Sequence, residues 1–151
     1  MSGKTDVFEN DILKLIFNAV AIANFADNTL TSPATTLYMS LHTQDPTDAA
    51  PNGQSTYEVT AGVVPNYARI AIARTSGGWV VSGNSVSPVN PIDFPTAGAG
   101  MSGTVTATYA GIGTALTGNG KLLYTGAINP AIIIAAGVTP RFTTASTITE
   151  D

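Results

Sequence analysis

The chain has 151 residues, no cysteine and a formal net charge of −4, with only six lysine and arginine residues. The lack of cysteine excludes disulfides and cysteine-ligated zinc, and the few scattered basic residues argue against nucleic-acid binding. Charged residues make up 11% of the chain, against about 25% in a typical soluble domain.

Two interpretations fit so little charge. The chain is either a neutral β-protein with threonine-rich outer faces or a protein that buries much of its surface in a permanent assembly. We find no secretory signal and no apolar run of about 20 residues, so we expect no membrane association and synthesis in a cytosol-like compartment. The length predicts a single domain with its own core.

The first segment, residues 1–34, is predicted to be helical. Asp6 fits the N-cap position, with Glu9 three residues later. The pattern fades near Phe25–Asn28, and Ser32-Pro33 ends the segment. We expect this amphipathic helix to pack on a sheet face or on a neighbouring subunit. Its apolar stripe follows helical spacing and contains Phe8, Ile12, Leu15, Ile16, Ala19, Ile22 and Ala23.

From residue 35 to residue 151, short β-branched and aromatic runs alternate with Gly, Pro and Asn. Spacings of about 8–12 residues favour an antiparallel β-sandwich or barrel-like domain over a βαβ fold. The predicted strands are Thr36–His42, Ala68–Arg74, Trp79–Val81, Ile92–Phe94, Gly103–Ile112, Lys121–Ile128, Ala131–Ala135, Arg141–Thr144 and Thr147–Glu150.

One strand and one loop suggest where surfaces lie. In Gly103–Ile112, alternation places Val105, Ala107 and Tyr109 on one face and threonines on the other, which is typical of a sheet with one solvent-facing or interface-facing side. The polar segment Thr43–Gly62 is about 20 residues long, more than a compact domain usually leaves unstructured. We therefore expect it to be a binding or docking loop.

The sequence predicts no catalytic, metal or cofactor site. Gly3-Lys4-Thr5 lacks the rest of a phosphate-binding loop, and the glycines of Gly111–Gly118 are misplaced for a dinucleotide motif. His42 is the only histidine, which makes a transition-metal site improbable. Ser40, His42 and Asp45 suggest a triad, but Ser40 and His42 would be near neighbours on one strand face, with no oxyanion loop.

Aromatic side chains could provide another kind of binding surface. Trp79, Tyr57, Tyr67, Tyr109 and Tyr124 could form a platform for a carbohydrate. Aromatic residues in short strands more often belong to the core or to cross-strand pairs. For Trp79, directly after Gly77-Gly78, both a core position and a surface contact remain open.

An ordered series of segments along nearly the whole chain resembles a family of small tailed-bacteriophage virion proteins, commonly labelled tail fibre proteins. The resemblance begins at Leu37–Pro46 and ends at Ile148–Asp151. Between them it runs through Tyr67–Ala71, Ile92–Pro95, Gly111–Thr114, Leu122–Ala127 and Gly137–Phe142.

The resemblance implies a structural virion component with no catalytic residues. A fibre shaft normally shows repeats, and this chain has none. We therefore expect a globular, non-enzymatic virion surface protein that decorates or cements the capsid; the alternatives are a tail-fibre, tail-tip or baseplate-associated protein and a carbohydrate-binding module for a host surface glycan. Its partners would be other copies, major capsid proteins or tail proteins. The predicted assembly contacts are Phe8, Ile12, Leu15, Ile16 and Ala19, and the predicted surface-binding residues are Trp79 and Tyr57.

Overall fold

The computed structural model describes residues 6–21, 34–46 and 53–150, with residues 6–9 described by their backbone. Within these ranges the predicted class is confirmed, since the chain is mainly β with antiparallel strand pairs and one N-terminal helix. The elements are α1 Asp6–Asn18, β1 Thr36–His42, β2 Ile70–Ala73, β3 Trp79–Ser82, β4 Ser85–Pro88, β5 Ile92–Asp93, β6 Val105–Gly113, β7 Leu122–Ile134, β8 Arg141–Phe142 and β9 Ile148–Thr149.

The chain divides into two compact units. Unit 1 comprises the described parts of residues 1–37, 72–91 and 142–151, and unit 2 those of residues 38–71 and 92–141. In these ranges no helix combines the length and apolar character that crossing a membrane requires.

Unit 1 holds α1 against the hairpin formed by β3 and β4. Leu13 and Phe17, four residues apart on one helix face, are fully buried there. The rings of Phe17 and Trp79 meet edge to face, with their centroids 4.6 Å apart, an arrangement that aromatic pairs favour. Strand β9 pairs with β4 through Val86↔Ile148 and completes the three-stranded sheet β3-β4-β9.

The helix ends earlier than its apolar pattern predicts. It stops at Asn18, and Ala19 follows with a φ of 55°, a left-handed conformation that terminates helices. The prediction that the helix fades near Phe25–Asn28 is therefore wrong. Ala19 lies beyond the helix, whereas Ile22, Ala23 and Ser32-Pro33 lie outside the described residues. Hydrophobic spacing alone did not reveal the stop, because the apolar pattern continues past it.

Arg74 fixes the carboxyl end of α1. Its guanidinium donates hydrogen bonds to the carbonyl oxygens of Leu15 and Ile16 and, over 2.9 Å, to that of Ala34. The last carbonyls of a helix have no partner within the helix, so a buried side chain that donates to them stabilises its end. Arg74 is 9% exposed. The arginine thus ties the helix to the chain just before β1.

Most residues of the sheet whose strand order is β2-β1-β6-β7 belong to unit 2. Strands β1 and β6 pair antiparallel from Tyr38↔Gly113 to His42↔Tyr109. The apolar core of unit 2 contains Met39, Leu41, Val59, Val64, Ile92, Phe94, Ala97, Met101, Ala107, Ile112 and Ile134.

Three local features differ from the predicted strands. The segments Lys121–Ile128 and Ala131–Ala135 belong to one strand, β7, which continues through a cis peptide bond at Asn129-Pro130. Strand β4 was missed, because Ser85–Pro88 has too few β-forming residues to stand out beyond the Gly83 turn. The register between β6 and β7 shifts between Ala107 and Tyr109, and the extra residues of this irregularity lie on β7.

Replacing Arg74 tests the helix anchor. Arg74→Met leaves three carbonyl groups without their donor, and we expect the free energy of unfolding to fall by about 2–4 kcal/mol. Urea denaturation monitored by circular dichroism measures this loss. Arg141→Met is the matched control, since Arg141 and its partner Asp93 are both solvent-exposed and such pairs contribute little. Equal stability of the two variants would contradict the anchoring role.

Candidate functional site

Polar side chains converge inside unit 2, where β1, β6 and residues 53–69 meet. Ser40, His42, Gln54 and Arg69 are buried there, and Glu58 and Tyr67 join them through hydrogen bonds. We call these six residues the polar network. Buried polar groups must be hydrogen-bonded to be tolerated, so their partners define what the site can do.

Ser40 and His42 form a hydrogen-bonded pair on one face of β1. The Ser40 Oγ–His42 Nε2 distance is 2.9 Å, and both side chains are fully buried. His42 Nδ1 lies 2.7 Å from the carbonyl oxygen of Thr56. A carbonyl can only accept, so Nδ1 carries the proton and Nε2 accepts from the Ser40 hydroxyl.

This pair has the spacing of a nucleophile and its base but lacks the rest of a triad. A backbone carbonyl, that of Thr56, occupies the position on Nδ1 where a triad would place a carboxylate. Both side chains are inaccessible to solvent, so no substrate reaches the hydroxyl. The prediction that Ser40 and His42 share a strand face is confirmed. On that face the two side chains pack in the interior.

Glu58 and Arg69 form a bidentate ion pair. Arg69 donates from Nε to Oε1 of Glu58 over 2.7 Å and from Nη2 to Oε2 over 2.6 Å. The exposed fractions of the side chains are 4% for Arg69 and 10% for Glu58. Arg69 also donates to the carbonyl oxygens of Ala115 and Gly118 over 2.8 and 2.7 Å. One guanidinium therefore joins the segment after β1 to the turn between β6 and β7.

Tyr67 connects this ion pair to β1. Its hydroxyl donates to Oε1 of Glu58 over 3.1 Å and accepts from the backbone N–H of Leu41 over 2.9 Å. Burial, reinforced by the negative charge of Glu58, raises the pKa of Tyr67 far above its ordinary value. The hydroxyl therefore stays protonated and serves as a donor. The Tyr67 ring stacks on Phe94, with an interplanar angle of 7°.

Gln54 makes a second connection to the same turn. Its Nε2 donates to the carbonyl oxygen of Tyr38 over 2.9 Å, and its Oε1 accepts from the N–H of Ala115 over 3.1 Å. A Cβ atom on Gly113 would lie 2.3 Å from Oε1 of Gln54, and one on Gly111 would lie 2.7 Å from Nε2 of His42. The two glycines make room for buried polar side chains.

The segment Gly111–Gly118 is part strand and part turn. Its first half continues strand β6 and its second half forms the turn that Arg69 and Gln54 hold. Glycines two residues apart in a strand lie on the same face of the sheet, where they leave space for neighbouring side chains. Together with the buried Gln54 and Arg69, this spacing was the available signal for the network.

The described part of the predicted docking loop is well anchored. Thr43 N–H donates to the Tyr57 carbonyl oxygen, and Val59 N–H donates to that of Leu41. Tyr57 has a φ of 52° and a side chain 39% exposed. Residues 47–52 of the predicted loop lie outside the described residues. Fixed backbone around Tyr57 presents its ring at the surface.

The predicted contact residues occupy different environments. Ile12, Leu15 and Ile16 are half-buried on α1, and the side chain of Phe8 lies outside the described set. Of the two positions left open for Trp79, the structure shows the core, since the residue is 2% exposed. Its ring is therefore not available as a surface contact. The buried helix residues Leu13 and Phe17 were not singled out from the sequence.

The network has little capacity for chemistry. Its donors and acceptors are engaged with one another or with backbone groups. Across the described part of the chain, no group of three or more His, Asp or Glu side chains is arranged to hold a metal ion. What the geometry achieves is to hold loops and strands in one arrangement.

A mainly β module that belongs by its sequence to a phage fibre family is a structural component of a phage particle. The profile of the family described as "Podophage GP4 fiber I protein gp80" matches residues 3–150. The chain belongs to this phage fibre protein family. A search of curated proteins gave no match.

Burial of His42 predicts an acid-sensitive fold. Desolvation lowers the pKa of His42 below the ordinary value of a histidine, about 6.5, against the opposing effects of the Thr56 hydrogen bond and the Glu58 charge. Because the unfolded chain binds the proton more readily, stability is complete above about pH 6.5 and falls as the pH drops below it. We expect urea midpoints to decrease from pH 7.5 to pH 5.5.

His42→Gln provides the control, since His42 is the only histidine. The variant should lose stability at pH 7.5 and show a much smaller change between the two pH values. An equal pH dependence in the variant and the parent chain would rule out His42 as its source.

A double-mutant cycle tests the Glu58–Arg69 pair. Glu58→Leu or Arg69→Met alone leaves a buried charge without its partner, and we expect each to lower the free energy of unfolding by about 3–5 kcal/mol. The double variant should be more stable than the sum of the two losses allows. Urea denaturation of all four chains measures the coupling, and strict additivity would contradict it.

Proposed function

We propose that the protein is a non-enzymatic structural module of the phage fibre apparatus and that it works by packing against other virion proteins. The family match over residues 3–150 carries the proposal, because it covers both compact units and its description names a fibre protein. In this role the protein acts mechanically, because its fixed surfaces form permanent contacts with other virion proteins.

The polar network supports a role without catalysis. A general base or nucleophile must reach a substrate within hydrogen-bonding distance. Ser40 and His42 are the nearest approach to such a pair, and both are fully buried. Glu58 and Arg69 neutralise each other and hold the turn after β6. These four polar side chains thus stabilise the interior of the fold.

The family description favours a fibre position over the capsid decoration predicted from the sequence. A fibre shaft requires a repeating face that can be buried again and again. This chain has no repeat. We therefore propose a globular part of the fibre, such as its base, collar or tip, while capsid decoration remains the competing prediction.

The proposed contacts are the half-buried residues of α1. Ile12, Leu15 and Ile16 lie away from the pair Leu13 and Phe17 that packs on the β3–β4 hairpin. Helix residues three and four apart share a face, so these three side chains form one apolar flank. Recognition of a host glycan stays a prediction that now depends on Tyr57, since the ring of Trp79 lies in the core.

Locating the protein on the particle tests this assignment. Gold-labelled antibodies against the purified protein should bind the tail of intact phage, and quantitative mass spectrometry should give a copy number far below that of the major capsid protein. Particles that lack the protein should keep unchanged heads and lose a fibre feature in cryo-electron microscopy. Labelling over the head, with a copy number near that of the capsid protein, would instead establish decoration.

A further inference from the structure

The chain contains two Asn-Gly dipeptides, Asn52-Gly53 and Asn119-Gly120. In such a dipeptide the backbone nitrogen of the glycine can attack the side-chain amide of the asparagine, because glycine has no side chain to hinder the approach. The product is a five-membered succinimide ring, which water opens to an acid. In a folded chain the reaction depends on the contacts of that nitrogen and of the asparagine amide.

The two glycine nitrogens differ in their surroundings. Gly53 is buried, and its N–H donates to Oγ1 of Thr56 over 3.2 Å. Within residues 53–150, by contrast, the N–H of Gly120 donates no hydrogen bond, while its carbonyl oxygen accepts from the N–H of Gln54 over 2.8 Å. A nitrogen that is engaged must first break its hydrogen bond through local opening. Gly120 therefore has the nitrogen that is ready to react.

Ser55 binds the side-chain amide of Asn119. The Ser55 hydroxyl donates to Oδ1 of Asn119 over 2.6 Å, and the backbone N–H of Ser55 donates to the same oxygen over 3.4 Å. Gly53 leaves room for this amide, because a Cβ atom there would overlap it. Attack at Cγ of Asn119 places negative charge on Oδ1, and fixed donors aimed at such an oxygen stabilise the transition state. Ser55 is therefore placed to promote the attack.

We infer that Asn119 deamidates in the folded chain through a succinimide formed with Gly120, and that Ser55 promotes this step. The nitrogen of Gly120 gives its proton to hydroxide and bonds to Cγ of Asn119. The Cγ–Nδ2 bond then breaks, and Nδ2 takes a proton from water and leaves as ammonia. Water next opens one of the two ring C–N bonds and leaves an aspartyl or an isoaspartyl residue at position 119. Asn119 is exposed, so water reaches the ring and ammonia escapes.

The reaction alters the turn between β6 and β7. On either side of position 119, the carbonyl oxygen of Gly118 accepts from Arg69 over 2.7 Å and that of Gly120 accepts from Gln54 over 2.8 Å. An aspartyl product keeps the main chain unchanged and offers Ser55 a charged acceptor, which strengthens the hydrogen bond. An isoaspartyl product lengthens the main chain by one methylene between two fixed carbonyls and loosens the turn. The site thus converts the age of the protein into a change of charge and backbone.

Peptide mapping by mass spectrometry measures the reaction after incubation of the purified full chain at mildly alkaline pH. Water labelled with oxygen-18 places the label in the new carboxyl group and separates this modification from any already present. In the folded chain we expect Asn119 to react at least about tenfold faster than Asn52, because the N–H of Gly53 is engaged. In denaturing urea the two rates should be similar. An unmodified Asn119, or equal rates at both sites in the folded chain, would overturn the inference.

Two serine variants test the role of Ser55. Ser55 is exposed, so Ser55→Ala should keep the fold, which circular dichroism checks, and should slow the reaction at Asn119 about tenfold through loss of one donor to Oδ1. Ser85→Ala is the matched control, because the Ser85 hydroxyl donates to the carbonyl oxygen of Ser82, and its rate should equal that of the parent chain. An unchanged or faster reaction in Ser55→Ala, or equal slowing in both variants, contradicts the assignment to Ser55.

Discussion

The ion pair between Glu58 and Arg69 is the interaction on which the architecture of unit 2 depends. Arg69 binds both carboxylate oxygens of Glu58 and also two backbone carbonyls in the turn between β6 and β7. Arginine suits this position because its planar guanidinium presents several donors in fixed directions. Lysine would offer one rotating ammonium group and could not reach all four oxygens in the same geometry.

Hydrogen bonds around this pair hold together segments that are distant in sequence. Tyr67 extends the connection to the backbone of Leu41, and Gln54 joins the carbonyl of Tyr38 to the amide of Ala115. A network in which every member is satisfied specifies a single packing, whereas a half-satisfied one would destabilise the core. This explains how a chain with few charges and no disulfide can keep a loop-rich domain in order.

The general class was accessible from the sequence because periodicity and turn residues report it directly. The prediction of strand Thr36–His42 matches its observed limits, since Leu37, Met39 and Leu41 alternate there with more polar residues. The helix stop at Asn18 was not accessible, because the apolar pattern continues past it and Arg74, which donates to the last turn, lies far along the chain. Likewise, Gln54 and Arg69 bind the turn after β6 over more than 40 residues of sequence, and no local pattern encodes these contacts.

Only part of the candidate site was predictable from the sequence. The spacing of Ser40 and His42 indicated a shared strand face, and the structure places them in contact. Burial of Trp79 could not be decided, because a tryptophan in a short strand serves equally in a core or at a surface. The glycines of β6 were noticed as a motif, but their role in making room for His42 and Gln54 required the strand register.

The central claim is that the buried polar groups form a rigid scaffold and not a reactive site. Native-state hydrogen exchange of the Leu41 and Ala115 amides tests it most directly, because their acceptors are the Tyr67 hydroxyl and the Gln54 side chain. The account predicts that both amides exchange only through global unfolding, with a free energy equal to that from urea denaturation. Exchange through local opening, well below that value, would contradict it.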